Sequence, residues 1–159
     1  MKPFSQGPRS VRVSVKAVII SKGQVLLVRN RDEKGDWYIL PGGGQAHGET
    51  VEQALQRECT EEIGTGVVMG RLLFVRDYIA ARHEFCATDG DAHQIELMFK
   101  CSLPRGSTPK MGESPDSYQD GIAWLPLEAL TRHRLYPSAL RTLLAKPLPK
   151  GAVYLGDVN

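Results

Sequence analysis

The stretch from Gly42 to Gly64 holds the residues best suited to chemistry. Three glycines, Gly42, Gly43 and Gly44, precede five carboxylates, Glu49, Glu52, Glu58, Glu61 and Glu62, which fall within fourteen positions of a chain with 18 acidic residues in all. Thr50 with Gln53 three residues on fits a capping box, and Gly64 is placed to stop a helix, so the spacing predicts a helix from Thr50 to about Ile63. At about 100° per residue, with Val51 at zero, Leu55 lies near about +40°, Ala54 near about −60° and Cys59 near about +80°, which defines a core-facing arc. Glu58 at about −20° and Glu62 at about +20° fall inside that arc, and Glu61 at about −80° sits on its edge. The arc facing solvent then holds Gln53, Gln56, Arg57 and Thr60.

A helix built for stability alone would not aim two carboxylates along its apolar stripe. Burying them unpaired costs several kcal/mol, and side by side they repel. Something positive is expected between them, a cation or an arginine. An arc of two or three carboxylates with water suits Mg²⁺, a hard cation that takes oxygen ligands. The glycines add backbone that can approach closely, with carbonyls to ligate metal and N–H groups to hold phosphate oxygens. These parts point to metal-assisted cleavage of a phosphoanhydride. The competing reading is a solvated glutamate-rich face, with Arg57 and Glu61 paired at i,i+4.

The segment resembles the Nudix box, Gly-x5-Glu-x7-Arg-Glu-U-x-Glu-Glu-x-Gly-U, where U is a bulky apolar residue. Gly43, Glu49, Arg57, Glu58, Glu61, Glu62 and Gly64 match its seven fixed positions over 22 residues. Cys59 and Thr65 depart from the two U positions, which are packing positions. Leu40-Pro41-Gly42-Gly43-Gly44 and Trp124-Leu125-Pro126-Leu127-Glu128-Ala129-Leu130 also look like this family, and the likeness runs over about residues 11–145. The resemblance implies an α/β/α sandwich with a mixed sheet, and hydrolysis of nucleoside diphosphate derivatives with Mg²⁺, or Mn²⁺ as a substitute. It implies metal ligation by Glu58, Glu62 and the Gly42 carbonyl, with Glu61 assisting, and an orienting role for Arg57 and Glu49. A homodimer is common in the family. The alternative from a different class is a catalytically silent Nudix-fold module that binds nucleotide and regulates a partner. Such modules usually lose box glutamates, and Glu58, Glu61 and Glu62 are all present.

Outside the box, the catalytic base is sought among Glu113, Asp116 and Asp120 of a long loop and Glu96 of a strand, with Glu113 preferred. Substrate contacts are expected from Arg29, Arg31, Arg76 and Tyr78, together with backbone at Gly43 and Gly44. Arg29 ends a strand near the glycine loop and could clamp phosphate. Tyr78 or Trp37 could stack on a base. Trp37, Phe74 and Trp124 also read as core, and His47 as exposed. His83, His93 and His133 lack metal spacing.

These residues need elements to position them. Residues 11–20 and 24–29 alternate and then turn apolar, reading as a strand hairpin around Ser21-Lys22-Gly23. Residues 37–40 form a short aromatic strand. A short strand lies around Val67, and others are expected at 72–79, 94–102 and 122–125, with Ile95, Leu97, Phe99 and Cys101 on one face. Residues 104–121 form a Pro-, Gly- and Ser-rich loop of a length that is usually functional. Helices begin at Leu127 and at Pro137, the latter running to about Lys146. The order predicts an α+β chain in layers.

The 159 residues amount to one domain. The expected organisation is a flexible segment 1–10, one domain over 11–146 and a tail 147–159 with one short strand. Composition is that of an ordinary globular protein, with 42% apolar and 24% charged residues, which excludes fibrous and low-complexity classes. Twenty Lys and Arg against 18 Asp and Glu leave a net charge of +2, too mild for extended nucleic-acid contact. Three cysteines without close spacing argue against zinc or a disulfide framework, and fit a cytoplasmic protein. No apolar run approaches the roughly 20 residues that span a bilayer. The expected partner is a small nucleotide.

Overall fold

The structure is a computed structural model that describes residues 10–159. Its strands are β1 (Arg12–Ser21), β2 (Gln24–Asp32), β3 (Gly35–Ile39), β4 (Gly42–Gly44), β5 (Val68–Ile79), β6 (His93–Ser102), β7 (Gln119–Pro126), β8 (Leu135–Tyr136) and β9 (Val153–Asp157). The helices are α1 (Val51–Ile63), α2 (Cys86–Asp89) and α3 (Leu140–Leu143), with 3₁₀ turns at Ala80–Arg82 and Leu127–Arg132. The β1–β2 hairpin turns on Lys22 and Gly23, whose φ angles of 50° and 72° are the two positive values that a two-residue type I′ turn requires.

The strands form one mixed sheet in the order β8-β3-β2-β1-β6-β5-β9, with β4 added to β1 and β7 to β2. β1 is its organiser. It runs parallel to β6 from Arg12 to Ile19, pairs with β4 at Ser14–Lys16 and joins β2 at Ile20–Ser21. Alternation along β1 and β2 feeds two cores. Val15, Ala17, Ile19, Leu26 and Val28 pack with Ala54, Leu55, Cys59 and Ile63 of α1. Val18, Val25 and Leu27 point the other way and pack with Leu130, Leu140 and Leu144. Helical segments therefore cover both faces, giving the α+β, α/β/α architecture expected.

Several local expectations change. The strands near Val67 and over 72–79 are one long strand, β5, with register irregularities between Met69 and Phe74. β6 is buried on the Glu96 and Met98 face as well, because its sheet is covered on both sides, while Ile95 is exposed. The segment at Leu127 is a 3₁₀ turn. From Pro137 the chain first makes i+3 bonds (Leu140 to Pro137, Arg141 to Ser138), so the α-helix there is short and begins at Leu140. Residues 147–159 carry the short strand, and β9 pairs in parallel with β5 at the sheet edge. The expected segment 1–10 lies outside the described residues except for Ser10.

Leu55 is fully buried between α1 and β1. Leu55→Ala is expected to cost about 2–5 kcal/mol of stability, measured as a lower midpoint in urea unfolding, by leaving a cavity that the sheet cannot close.

Candidate active site

α1 begins and ends as its sequence dictates. Thr50 Oγ1 accepts from the Gln53 N–H at 3.2 Å, and Gln53 Oε1 accepts from the Thr50 N–H at 2.8 Å, the reciprocal pair of a capping box. Gly64 closes the helix at φ 69°. The last turn's carbonyls are satisfied by the long loop before β7 and by the first residue of that strand. Lys110 N–H donates to Ile63 O at 3.0 Å, Gly112 N–H to Glu62 O at 3.1 Å and Gln119 Nε2 to Glu62 O at 2.8 Å. A side chain at position 112 would bring its Cβ within 2.0 Å of Glu61 O, so the close approach requires glycine.

Glu62 is 2% exposed, and its Oε2 accepts from the Gly42 N–H at 2.8 Å. Burial pushes its carboxyl up to about 8, against the pull of the Lys16 ammonium and the Gly42 N–H; Asp116 and Glu58 push further upward. Lys16 Nζ donates to the Gly42 carbonyl at 2.6 Å. Gly42 has φ 128°, and a Cβ there would lie 2.1 Å from Val15 O. No other residue fits between β1 and the buried carboxylate. A Cβ on Gly43 would meet Glu58 Cδ at 2.6 Å, so β4 also leaves room for the second carboxylate.

Arg57 ties these parts together. Its Nε and Nη2 grip Glu49 Oε1 and Oε2 at 2.7 and 2.9 Å, Nη1 reaches Glu58 Oε1 at 2.7 Å, and Nη2 donates to Gly44 O at 3.0 Å. Glu61 Oε1 is 3.7 Å from Nη1, a minor contact beside the bidentate fork to Glu49. Arg57 is thus turned from the solvent arc toward the glycine strand. It holds the Glu49 carboxyl down to about 2, helped by the Ala46 N–H.

The carboxylates stand at one rim of a cavity of about 760 Å³. Gly42–Gly44, Arg57, Glu58 and Glu61 form that rim, and the floor is the sheet face opposite α1. Ser14 and Lys16 line it because they alternate with Val15 and Ala17, which face α1. In register across the strands, Ser14 lies beside Gly44 and Glu96, and Glu96 beside Arg76. Arg76 and Glu96 form a buried ion pair at 2.9 Å, and Arg76 lies over the Tyr78 ring at 5.1 Å. Tyr78 donates its hydroxyl to Asp89 at 2.7 Å; burial and that carboxylate raise its pKa. Trp37, Phe85 and Tyr136 stand together in the cavity wall with ring centroids 4.8–6.2 Å apart.

Most of the expected site residues meet here: Glu58, Glu61, Arg57, Gly42, Gly43, Gly44, Arg76 and Tyr78 line the cavity. Glu62 lies behind the Gly42 N–H. Arg29 is elsewhere; its Nε pairs with Asp120 at 2.9 Å beside Gly121, which spends its charge away from the cavity. Arg31 likewise pairs with Asp36 at 2.8 Å. Glu113 is exposed and outside the cavity wall, whereas Asp116, three residues further along the same loop, lines it. Phe74 is core, Trp37 lines the cavity and His47 is exposed. Lys16, Arg12 and Ser14 were not foreseen. Their signal was present in the polar alternation of an otherwise apolar strand.

The donor set is chemically suited to a hard divalent cation: three carboxylates and a glycine carbonyl on one helix–strand junction. Among the described residues no group of three or more His, Cys, Asp or Glu is arranged to hold a metal ion. Glu58 is drawn to Arg57 and Glu62 to the Gly42 N–H, and Lys16 and Arg57 supply the positive charge that the inward carboxylates demand.

Comparison with known proteins agrees with this geometry. Residues 10–146 match the NUDIX domain. The nucleoside triphosphatase NudI of Enterobacter sp. is 31% identical over 143 residues, covering 86% of this chain and 97% of that protein. Among solved structures, a MutT NUDIX hydrolase from Burkholderia pseudomallei aligns with TM-score 0.57 and 27% identity over 75% of this chain and 85% of that one. The E. coli ORF135 protein shares the fold, with TM-score 0.63 at 21% identity over 87% of this chain and 91% of that one. The chain belongs to the NUDIX family, and its class is that of a pyrophosphohydrolase. Among the described residues no helix is long and apolar enough to cross a membrane.

Arg57→Gln is expected to release Glu49. Following the Glu49 carboxyl by NMR, the wild type should remain ionised down to a pH of about 2. The variant should titrate near the ordinary value of about 4.3. Because the folded-state pKa is depressed, this pair stabilises the wild type above the unfolded-state pKa, and the contribution is lost as pH falls through the folded value.

Proposed function

We propose that the protein is a Mg²⁺-dependent pyrophosphohydrolase that cleaves a phosphoanhydride bond of a nucleoside diphosphate derivative, a nucleoside triphosphate first among them. The observation that carries this reading is the junction of α1 and β4. There the Glu58 carboxylate lies against Gly43, at the rim of a cavity large enough for a nucleotide, and Glu62 accepts from the Gly42 N–H just behind it. The 31% identity to a nucleoside triphosphatase over nearly its whole length supports the choice of substrate, with ADP-ribose and related compounds as the other members of the class.

Glu58, Glu61, Glu62 and the Gly42 carbonyl would hold Mg²⁺, with Mn²⁺ as a substitute. When bound, the metal supplies positive charge to the polyphosphate oxygens and so offsets the acidic rim. The remaining work falls to side chains of this chain. Arg57 orients Glu58 and, through Glu49, the loop that begins α1. Lys16 and Arg12 put cations on the floor beside Gly42 and Gly44, suited to phosphate. Gly43 and Gly44 offer backbone without side chains to the same group. Arg76 is engaged by Glu96, so it and Tyr78 belong to the nucleoside rather than the phosphates. Asp116 takes the water-orienting role first assigned to Glu113, because it is the carboxylate of that loop in the cavity wall. Water attacks phosphorus, and the bond to the leaving phosphate breaks.

Product release from a panel of nucleoside triphosphates, ADP-ribose and dinucleoside polyphosphates, with and without Mg²⁺, tests the reading. Turnover of no member, with nucleotide binding retained, would identify a silent binding module instead. Glu62→Gln should lower metal-dependent turnover by at least about 10²-fold while the thermal unfolding transition is kept. In the same assay Asp116→Asn should lose about 10²-fold in kcat. Glu113→Gln should stay near wild type.

A further inference from the structure

β9 lies outside the stretch that matches the family, which ends at residue 146, yet Asn159, two residues past its end, lines the cavity. The segment around β9 is held by several side-chain contacts. Asp157 accepts from the Ile79 N–H at 3.1 Å, pairs with His83 at 2.6 Å and meets Arg82 at 3.4 Å. Tyr154 donates its hydroxyl to Asp77, and Arg76 donates to the Val158 carbonyl. These ties deliver Asn159 to the cavity wall.

Arg76 Nη1 lies 3.1 Å from Asn159 Oδ1. A guanidinium only donates, so it fixes the amide with its oxygen toward Arg76. The amide nitrogen Nδ2 is then a buried donor with no partner among the described residues. Such a donor costs free energy unless something accepts from it. Beside it the Glu96 carboxylate, 5% exposed, uses Oε1 for Arg76 and faces the same cavity. The positive charge of Arg76 is matched by Glu96, so this end offers no spare cation to a phosphate. Lys16 and Arg12 stand at the other end, beside β4. β4 and β9 are four strand spacings apart, about 19 Å across the sheet.

We propose that Asn159, held in place by the β9 segment, selects the nucleoside at this wall of the cavity. The Asn159 amide donates to an acceptor on the nucleobase, a carbonyl oxygen or ring nitrogen, while Glu96 accepts from a neighbouring N–H. This rests on the hydrolase reading above and adds to it the part of the chain that chooses the base.

The test is steady-state kinetics with ATP, GTP, CTP and UTP on the wild type, Asn159→Ala and Asn159→Asp. Thermal unfolding and Mn²⁺ affinity by electron paramagnetic resonance are followed in parallel. The wild type should prefer one base. Asn159→Ala should raise KM for that nucleotide about tenfold with kcat, Mn²⁺ affinity and melting kept, and should level the ranking of the four. Asn159→Asp, which replaces the donor by an acceptor, should lower kcat/KM for the preferred base further. Equal loss on all four nucleotides, no change, or a wild type indifferent to the base would overturn the proposal. If the wild type hydrolyses none of them, nucleoside triphosphates fall as substrates, and the hydrolase reading falls only if ADP-ribose and dinucleoside polyphosphates are not turned over either. The same comparison is then made on equilibrium nucleotide affinities, where levelling supports the wall and uniform change overturns it.

Discussion

The hydrogen bond from the Gly42 N–H to the buried Glu62 carboxylate joins helix, glycine strand and sheet into one unit. Glu62 sits at 2% exposure on the apolar side of α1, where a carboxylate is stable only if its partners are fixed. Gly42 can serve it only by passing within van der Waals reach of Val15, at a φ of 128° that glycine alone tolerates readily. The same residue's carbonyl takes the Lys16 ammonium, whose charge opposes the cost of burying Glu62. Arg57 extends the unit one turn back along α1 by holding Glu58, Glu49 and the Gly44 carbonyl together. Moving any one of these groups would leave a buried charge or a backbone amide unpaired, so the acidic rim is built as a rigid piece.

β1 serves the core and the site at once. Its odd-numbered residues from Val15 to Ile19 are buried against α1, and its even-numbered Ser14 and Lys16 face the cavity. Pleating therefore carries positive charge onto a sheet face while the opposite face stays apolar. Across that face the electrostatics change in order. Cations lie beside the glycine strand, a neutralised Arg76–Glu96 pair follows on β5 and β6, and the Asn159 amide lies beyond. A net charge of +2 averages over this gradient and conceals it.

The parts of the site that were legible in the sequence are those set by local rules. The capping box at Thr50, the stop at Gly64 and the inward angle of Glu58 and Glu62 follow from helix periodicity within a few residues, and each is present. The assignment of Arg57 to solvent failed because periodicity fixes direction from the helix axis but not the reach of a long side chain across to a neighbouring strand. Arg29 and Glu113 failed for a related reason. Their surroundings are set by Asp120, 91 positions from Arg29, and by the path of a loop, neither of which leaves a periodic trace. The edge pairing of β9 with β5 is equally remote in sequence, and a strand of five residues with a glycine in it has little pattern of its own. Ile95 read as core because alternation on β6 shows two faces without saying which is covered, and both are in part.

The long loop before β7 shows how an irregular segment can belong to a rigid site. Its backbone at Lys110 and Gly112, with the Gln119 side chain at the start of β7, bonds to the carbonyls of Glu62 and Ile63, the last turn of the helix that carries the carboxylates. Those carbonyls have no partner within the helix, so the loop satisfies groups that would otherwise need water. Asp116 lies between these attachments, and its own carbonyl accepts from the Gln119 N–H at 2.9 Å. Its carboxylate is therefore positioned by the same helix end as Glu62, on a loop that could not swing away without unpairing the C-terminal turn of α1.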